Sequence, residues 1–156
     1  MHNSKSYKPL ARNRRSTYDY DIKRRVIAGM VLSGAEAKSI RSGSVSLKGA
    51  FANFASGELF INNMHISRYS HDSSELIYDP LRPRKLLLHK NELGRVMGDK
   101  QNGMHVVVMS VGLMGQYLKA ELGIGLSKKQ YDKRQAIRSK NQLREAQKAY
   151  IRANRN

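Results

Sequence analysis

The sequence predicts a mainly β protein: a small closed antiparallel barrel of about six short strands, with two small helices and a basic C-terminal tail. Three observations carry that prediction. Leu118, Ala120, Leu122, Ile124 and Leu126 alternate with Tyr117, Lys119, Glu121, Gly123 and Gly125, and a period of two buries one face of a strand and wets the other. The preceding residues 104–113 are β-branched and apolar, and Met114-Gly115-Gln116 between the two runs reads as a turn, which makes a hairpin. Earlier, residues 51–54 and 59–66 flank Ala55-Ser56-Gly57-Glu58, the length and composition of a second hairpin loop. Strands and helices do not alternate as a doubly wound sheet requires, and no internal repeat is evident.

In chain order, residues 1–15 are polar and basic around Pro9 without usable periodicity, so residues 1–16 are expected to form a flexible arm. Residues 17–32 are rich in Tyr, Ile and Val around Ala28-Gly29 and read as a strand bent or turned at Gly29. Ser33-Gly34-Ala35-Glu36 matches the capping box: the serine hydroxyl accepts from the Glu36 N–H and the carboxylate accepts from the Ser33 N–H. A short helix then runs to Gly43, with Ala37 and Ile40 inward and Lys38 and Arg41 along one exposed edge. Residues 67–84 contain Asp79-Pro80-Leu81-Arg82-Pro83-Arg84 and read as a long loop, because each proline lacks a donor and restricts its predecessor. Residues 84–89 read as a strand, followed by a helix with Leu93, Val96 and Met97 inward and Gly98 at its end. The barrel thus spans residues 17–126 and the tail 127–156. Ala136, Leu143, Ala146, Tyr150 and Ala153 give that tail only a thin, mostly alanine stripe, so it is expected to be unstructured alone and helical on a partner.

The chain has 156 residues, 29 Lys plus Arg against 12 Asp plus Glu, and a formal charge of +17. Residues 1–25 carry 8 basic and 2 acidic groups, residues 26–126 carry 11 and 8, and residues 127–156 carry 10 and 2. A nearly balanced body between strongly basic ends suits a polyanion, because each Lys or Arg that neutralises a phosphate releases counterions; a basic surface kept for solubility is the alternative. The absence of cysteine excludes disulfides and thiolate chemistry. No run approaches the length of a membrane helix and no signal-peptide core opens the chain, so a soluble, cytoplasmic protein is expected.

Little in the sequence suggests catalysis. Five histidines stand at positions 2, 65, 71, 89 and 105 without ligand spacing, so no metal or cofactor is expected. Ser67, His71 and Asp72 hold the letters of a triad in one loop, where its geometry is rarely achieved, and the acidic pair Asp72 and Glu75 is commonplace. Gly123-Ile124-Gly125 lacks the rest of a dinucleotide fingerprint. Glu36 is explained by its cap. Asn13-Arg14-Arg15 runs into Tyr18 and Tyr20, which places guanidinium groups and rings either against RNA or over the barrel core. Lys119 points outward by pattern, as a phosphate contact or as a solvated lysine. Lys128-Lys129-Gln130-Tyr131-Asp132-Lys133-Arg134 is either a generic basic run or a hinge between barrel and helix.

Read in order, Ala28-Gly29, then Val31-Leu32-Ser33-Gly34-Ala35-Glu36-Ala37-Lys38-Ser39-Ile40-Arg41-Ser42-Gly43, then Asp79-Pro80-Leu81-Arg82-Pro83-Arg84-Lys85-Leu86-Leu87-Leu88-His89, then residues 128–134 resemble the SsrA-binding protein family, small protein B. The resemblance covers nearly the whole chain from Asn13. It implies an oligonucleotide-binding-type barrel that grips the tRNA-like domain of transfer-messenger RNA (tmRNA) and a tail that enters the decoding centre of a stalled ribosome. The implied partners are tmRNA, 16S and 23S ribosomal RNA, and elongation factor Tu with GTP through alanyl-tmRNA; no catalysis is implied. By motif, Asn13, Arg14, Tyr20, Leu87 and Lys119 fall where the family contacts tmRNA, with Lys38 and Arg41 beside them. Lys128, Lys129, Tyr131, Asp132, Lys133 and Arg134 fall in the hinge and decoding-centre segment, and Tyr150 and Ile151 anchor the tail helix. Three positions depart from the pattern: Thr17-Tyr18 replaces Arg-His, Ile27 replaces a glutamate, and Gly125-Leu126-Ser127 replaces Ala-basic-Gly. An RNA-binding or ribosome-associated barrel of general specificity is the alternative reading.

Overall fold

The computed structural model describes residues 6–74 and 77–154. Residues 1–5 of the expected arm (with His2), residues 75 and 76 of the expected loop (with Glu75) and residues 155 and 156 of the tail lie outside them. The elements are β1 (Tyr7–Arg12), α1 (Ser16–Asp19), β2 (Tyr20–Met30), α2 (Gly34–Arg41), β3 (Val45–Ser46), β4 (Phe51–Ala55), β5 (Glu58–Asn62), β6 (His65–Ile66), β7 (Arg84–Leu87), α3 (Lys90–Gln101), β8 (His105–Met114), β9 (Tyr117–Ser127) and α4 (Gln130–Ala153).

The predicted hairpin is present as β8 and β9, turning through Gly115 at φ 63°. β2 pairs with the far side of β9 along nearly its whole length. Ser56 at φ 51° and Gly57 at φ 77° turn β4 into β5; left-handed values at both central positions match the twist of a tight hairpin. The whole sheet has seven strands in the order β1-β8-β9-β2-β7-β5-β4, and β3 pairs with β6 apart from it.

The sheet is antiparallel throughout, as expected, but it does not close into a barrel. β1 and β4 are its two edges. β4 comes near β8 without sharing a ladder with it; β9 pairs along one edge of β8, and β1 takes residues 110–114 of the other. The expected flexible arm is partly a strand: residues 7–12 form β1, one of the two open edges. Pro9 is tolerated there because the register shifts between Pro9 and Ala11 at a bulge on an edge strand. Tyr7 and Ser110 share a hydroxyl hydrogen bond of 2.9 Å, and Leu10 and Ala11 pack against the core.

Ala28, Ala120, Leu122 and Ile124 on β2 and β9, Val108 and Val111 on β8, and Leu59 and Ile61 on β5 are fully buried, with Ile40 of α2 and Val96 of α3. Several local expectations change. β2 runs past Gly29 without a turn, and α1 precedes it. Gly123 and Gly125 are buried rather than wet: a Cβ on Gly123 would meet Met109 and Ile22, and one on Gly125 would lie 2.1 Å from the Asp21 carbonyl oxygen. Leu126, expected inward, is exposed at the end of the strand. α3 continues through Gly98 to Gln101 and stops where Gly103 takes φ 85°.

α2 begins as read. The Glu36 N–H donates to Ser33 Oγ at 3.2 Å and the Ser33 N–H donates to Glu36 Oε2 at 2.9 Å. The cap is only part of Glu36. Its buried carboxylate also accepts from Arg84 Nη2 at 2.8 Å and from Arg82. Arg84, with no exposed surface, reaches the carbonyls of Met64 and Pro80 as well. Each group taken out of water thereby keeps its hydrogen bonds, and the proline-rich loop is fastened to α2.

Candidate nucleic-acid interface

Three strands place one basic group in a row on the outer face of the sheet. Gly29 of β2 lies opposite Leu87 of β7 on one side and Lys119 of β9 on the other. A Cβ on Gly29 would stand 3.2 Å from Leu87 Cβ and 3.5 Å from Lys119 Nζ, so the glycine lets the ammonium lie flat across the strand. Lys119 is half-buried, not solvated as the alternation suggests. Among the described residues it meets no carboxylate. Two positions along, Glu121 stands opposite Ile27. Ser110 Oγ donates to Glu121 at 2.8 Å and Arg25 donates to it at 3.2 Å. Burial pushes the Tyr7 hydroxyl above the ordinary phenol value; because Ser110 Oγ spends its proton on Glu121, the Tyr7 hydroxyl donates to Ser110.

A second group of candidates gathers at the start of β2. An open cleft of about 870 Å³ lies between the β1–α1 turn and the β3–β4 loop, with Arg12, Arg14, Arg15 and Lys48 along it. Arg14 is exposed and pairs with nothing among the described residues. Asn13 is differently employed: its side-chain amide donates to the Val108 carbonyl at 3.0 Å, and its carbonyl accepts from Ser16 Oγ at 2.7 Å. It staples the turn to β8. Tyr20 tilts against His105 at 5.4 Å between ring centroids, whereas Tyr18 is exposed. On α2, Lys38 lies over the Tyr69 ring at 5.5 Å, and Arg41 donates to the Gln116 carbonyl at 2.8 Å, tying the helix to the β8–β9 turn.

The tail candidates divide in two. Lys128 Nζ donates to the Thr17 carbonyl at 2.9 Å, and Lys133 Nζ lies 3.1 Å from Asp19 Oδ1; both face the body. Lys129, Tyr131, Asp132 and Arg134 are exposed, and so are Tyr150 and Ile151 near the far end. α4 buries no residue. The contacts of Thr17 with Lys128 and of Asp19 with Lys133 are not legible in the sequence, since those partners are more than a hundred residues away. No cluster of metal-ligating side chains occurs among the described residues. Asp72 is occupied by Ser74 and Arg68, so the triad letters form no catalytic array.

An antiparallel sheet with Lys119 on its outer face, a cleft edged by Arg12, Arg14, Arg15 and Lys48, and a basic helix with no buried residue fit a nucleic-acid-binding class of protein. The family model described as SmpB protein matches residues 10–152. An SsrA-binding protein of Chloroflexus aggregans is 43% identical over 90% of this chain and 89% of its own. One from Acetivibrio thermocellus is 47% identical over 87% and 88%. A chain of a solved structure described as "tmRNA-SmpB: a journey to the center of the bacterial ribosome" superimposes with a TM-score of 0.61 at 39% identity, over 81% of this chain and 93% of that one. The chain belongs to the SmpB family.

Proposed function

We propose that the two cationic regions serve two RNAs in succession. The protein binds transfer-messenger RNA and acts in trans-translation on the ribosome. Within that role, the body takes the tRNA-like domain of tmRNA along the Leu87–Gly29–Lys119 row and the Arg14 side of the cleft. Lys38 and Arg41 add charge on α2, and Tyr20 supports the cleft from within. Asn13 then contributes by shaping the turn that presents Arg14. The tail meets 16S ribosomal RNA at the decoding centre through Lys129, Tyr131, Asp132 and Arg134, with Tyr150 and Ile151 anchoring its far end and 23S RNA nearby.

The observation that carries this reading is α4 itself: 24 residues, none buried, with Arg134, Arg138, Lys140, Arg144, Lys148 and Arg152 pairing with no carboxylate among the described residues. Such a helix has a polyanion as its natural cover. Elongation factor Tu with GTP joins through the alanyl-tmRNA, the site of action is the cytoplasm, and the chain performs no chemistry of its own. The strand layout is of oligonucleotide-binding type in this proposal, left open at the β1–β4 seam.

Removing everything after Ser127 tests the division. The truncated protein is expected to keep its affinity for the tRNA-like domain in a binding assay and to lose tagging of nascent chains in a reconstituted translation system. Normal tagging by the truncated protein would sink the role given to α4.

A further inference from the structure

We propose that Asp19 is the anchor that fixes the direction in which α4 leaves the body, with Lys133 its positioning partner. This deepens the reading above, since it rests on α4 being the part that enters the ribosome. The junction is built from both chain ends. The Lys128 N–H donates to the Asp19 carbonyl at 2.9 Å, and Lys128 Nζ donates to the Thr17 carbonyl at 2.9 Å. One helical turn on, Lys133 Nζ lies 3.1 Å from Asp19 Oδ1 and 6.0 Å from the centroid of the Tyr18 ring. The other carboxylate oxygen faces Arg15 Nε at 3.6 Å.

α1, the seat of these contacts, is itself held firmly. Ser16 is buried, its Oγ donates to the Asn13 carbonyl, and Asn13 bonds to Val108 and Met109 of β8. The helix on the other side of the junction is held by nothing else comparable: α4 buries no residue and its contacts with the body centre on α1. A helix of 24 residues is about 36 Å long, so a 10° error at its base displaces its tip by about 6 Å. Lys128 ties the base of the helix down, and the Asp19–Lys133 ion pair one turn further fixes its direction and so where Tyr150 and Ile151 arrive. Lys133 is turned to the protein by this geometry, and its part in rescue is to aim the helix.

The chain has no cysteine, so Gln101→Cys on α3 and Gln147→Cys on α4, both exposed, accept a pair of spin labels in the full-length protein. Pulsed electron resonance is expected to give one narrow distance distribution in the parent. It should broaden in Asp19→Asn and in Lys133→Glu, and narrow again in the swap Asp19→Lys with Lys133→Glu. Tagging in reconstituted translation should fall about fivefold in each single variant, the upper end for a partly exposed ion pair, and recover in the swap. Affinity of Lys133→Glu for the tRNA-like domain should stay unchanged. A parent distribution as broad as that of Asp19→Asn, or a swap that restores neither width nor tagging, overturns the anchor. If the parent shows no preference for the tRNA-like domain, the functional reading fails, while the distance distributions still decide whether Asp19 holds the helix.

Discussion

Two side chains show how differently a charge is used in this protein. Glu36 and Arg84 are both buried, and the carboxylate is shared by two guanidinium groups and a helix cap. Burial alone would raise the Glu36 pKa; the hydrogen bonds from Arg82, the Ser33 N–H and Arg84 outweigh it, and the carboxyl sits below its ordinary value. A carboxylate with a lowered folded pKa contributes stability above its unfolded pKa and loses it as pH falls through the lower, folded one. Denaturant melts of Glu36→Gln at neutral pH are expected to show a loss of about 3 to 5 kcal/mol, because Arg84 is left charged and buried. The gap between parent and variant should narrow on acidification below the ordinary glutamate range; a gap that widens there would contradict the assignment. Lys119 is the opposite case, a cation on an outer face that meets no carboxylate among the described residues. Lys119→Ala is expected to weaken binding to tmRNA and to lower the slope of log affinity against log salt by about one unit. Lost affinity at an unchanged slope would mean that the lysine acts through packing.

Among the elements, β1 and α4 carry the largest consequences. β1 seals the outer edge of β8 only because Gly112 has no side chain: a Cβ there would lie 2.2 Å from the Lys8 carbonyl oxygen. Gly112→Ala should therefore lift β1 from the sheet, seen as fast amide exchange over residues 7–12 with β2–β9 still protected; protection retained at β1 would show that the edge adjusts. The elements legible in the sequence are those whose signals are local. The Ser33–Glu36 box, the Ser56-Gly57 turn and the β8–β9 alternation each lie within a dozen residues or so. β1 was illegible because its partner Ser110 lies 103 positions away and Pro9 argues locally against a strand. α1 is a single turn that propensity does not mark. Gly123 and Gly125 follow the polar face of the pattern, yet Met109 and Ile22 close over the first and the Asp21 backbone over the second. The same locality limits the site: Glu36 reads as a cap because only its i−3 partner is near in sequence, and the pairing of Asp19 with Lys133 spans 114 positions.

At the scale of the molecule, the charge map and the fold agree on a body and a lever. The body has nearly balanced charge, and part of its basic set is committed to carboxylates: Arg24 to Asp99, Arg82 and Arg84 to Glu36, Lys85 to Glu58. Among the described residues, cations that meet no carboxylate include Lys8, Arg12, Arg14, Lys48, Lys90, Arg95 and Lys119 on the body and most of those along α4, so the body holds its charge in a fixed layout and the helix extends its reach. Cations held in a fixed layout on a folded body predict discrimination among structured RNAs, whereas undirected charge predicts none. The decisive measurement is a competition assay at near-physiological salt, with labelled tRNA-like domain of tmRNA bound to the full-length protein and unlabelled elongator tRNA added in excess. The complex is expected to survive a large excess of tRNA. Displacement at equal concentration would contradict the account, because the protein would then be binding by charge alone.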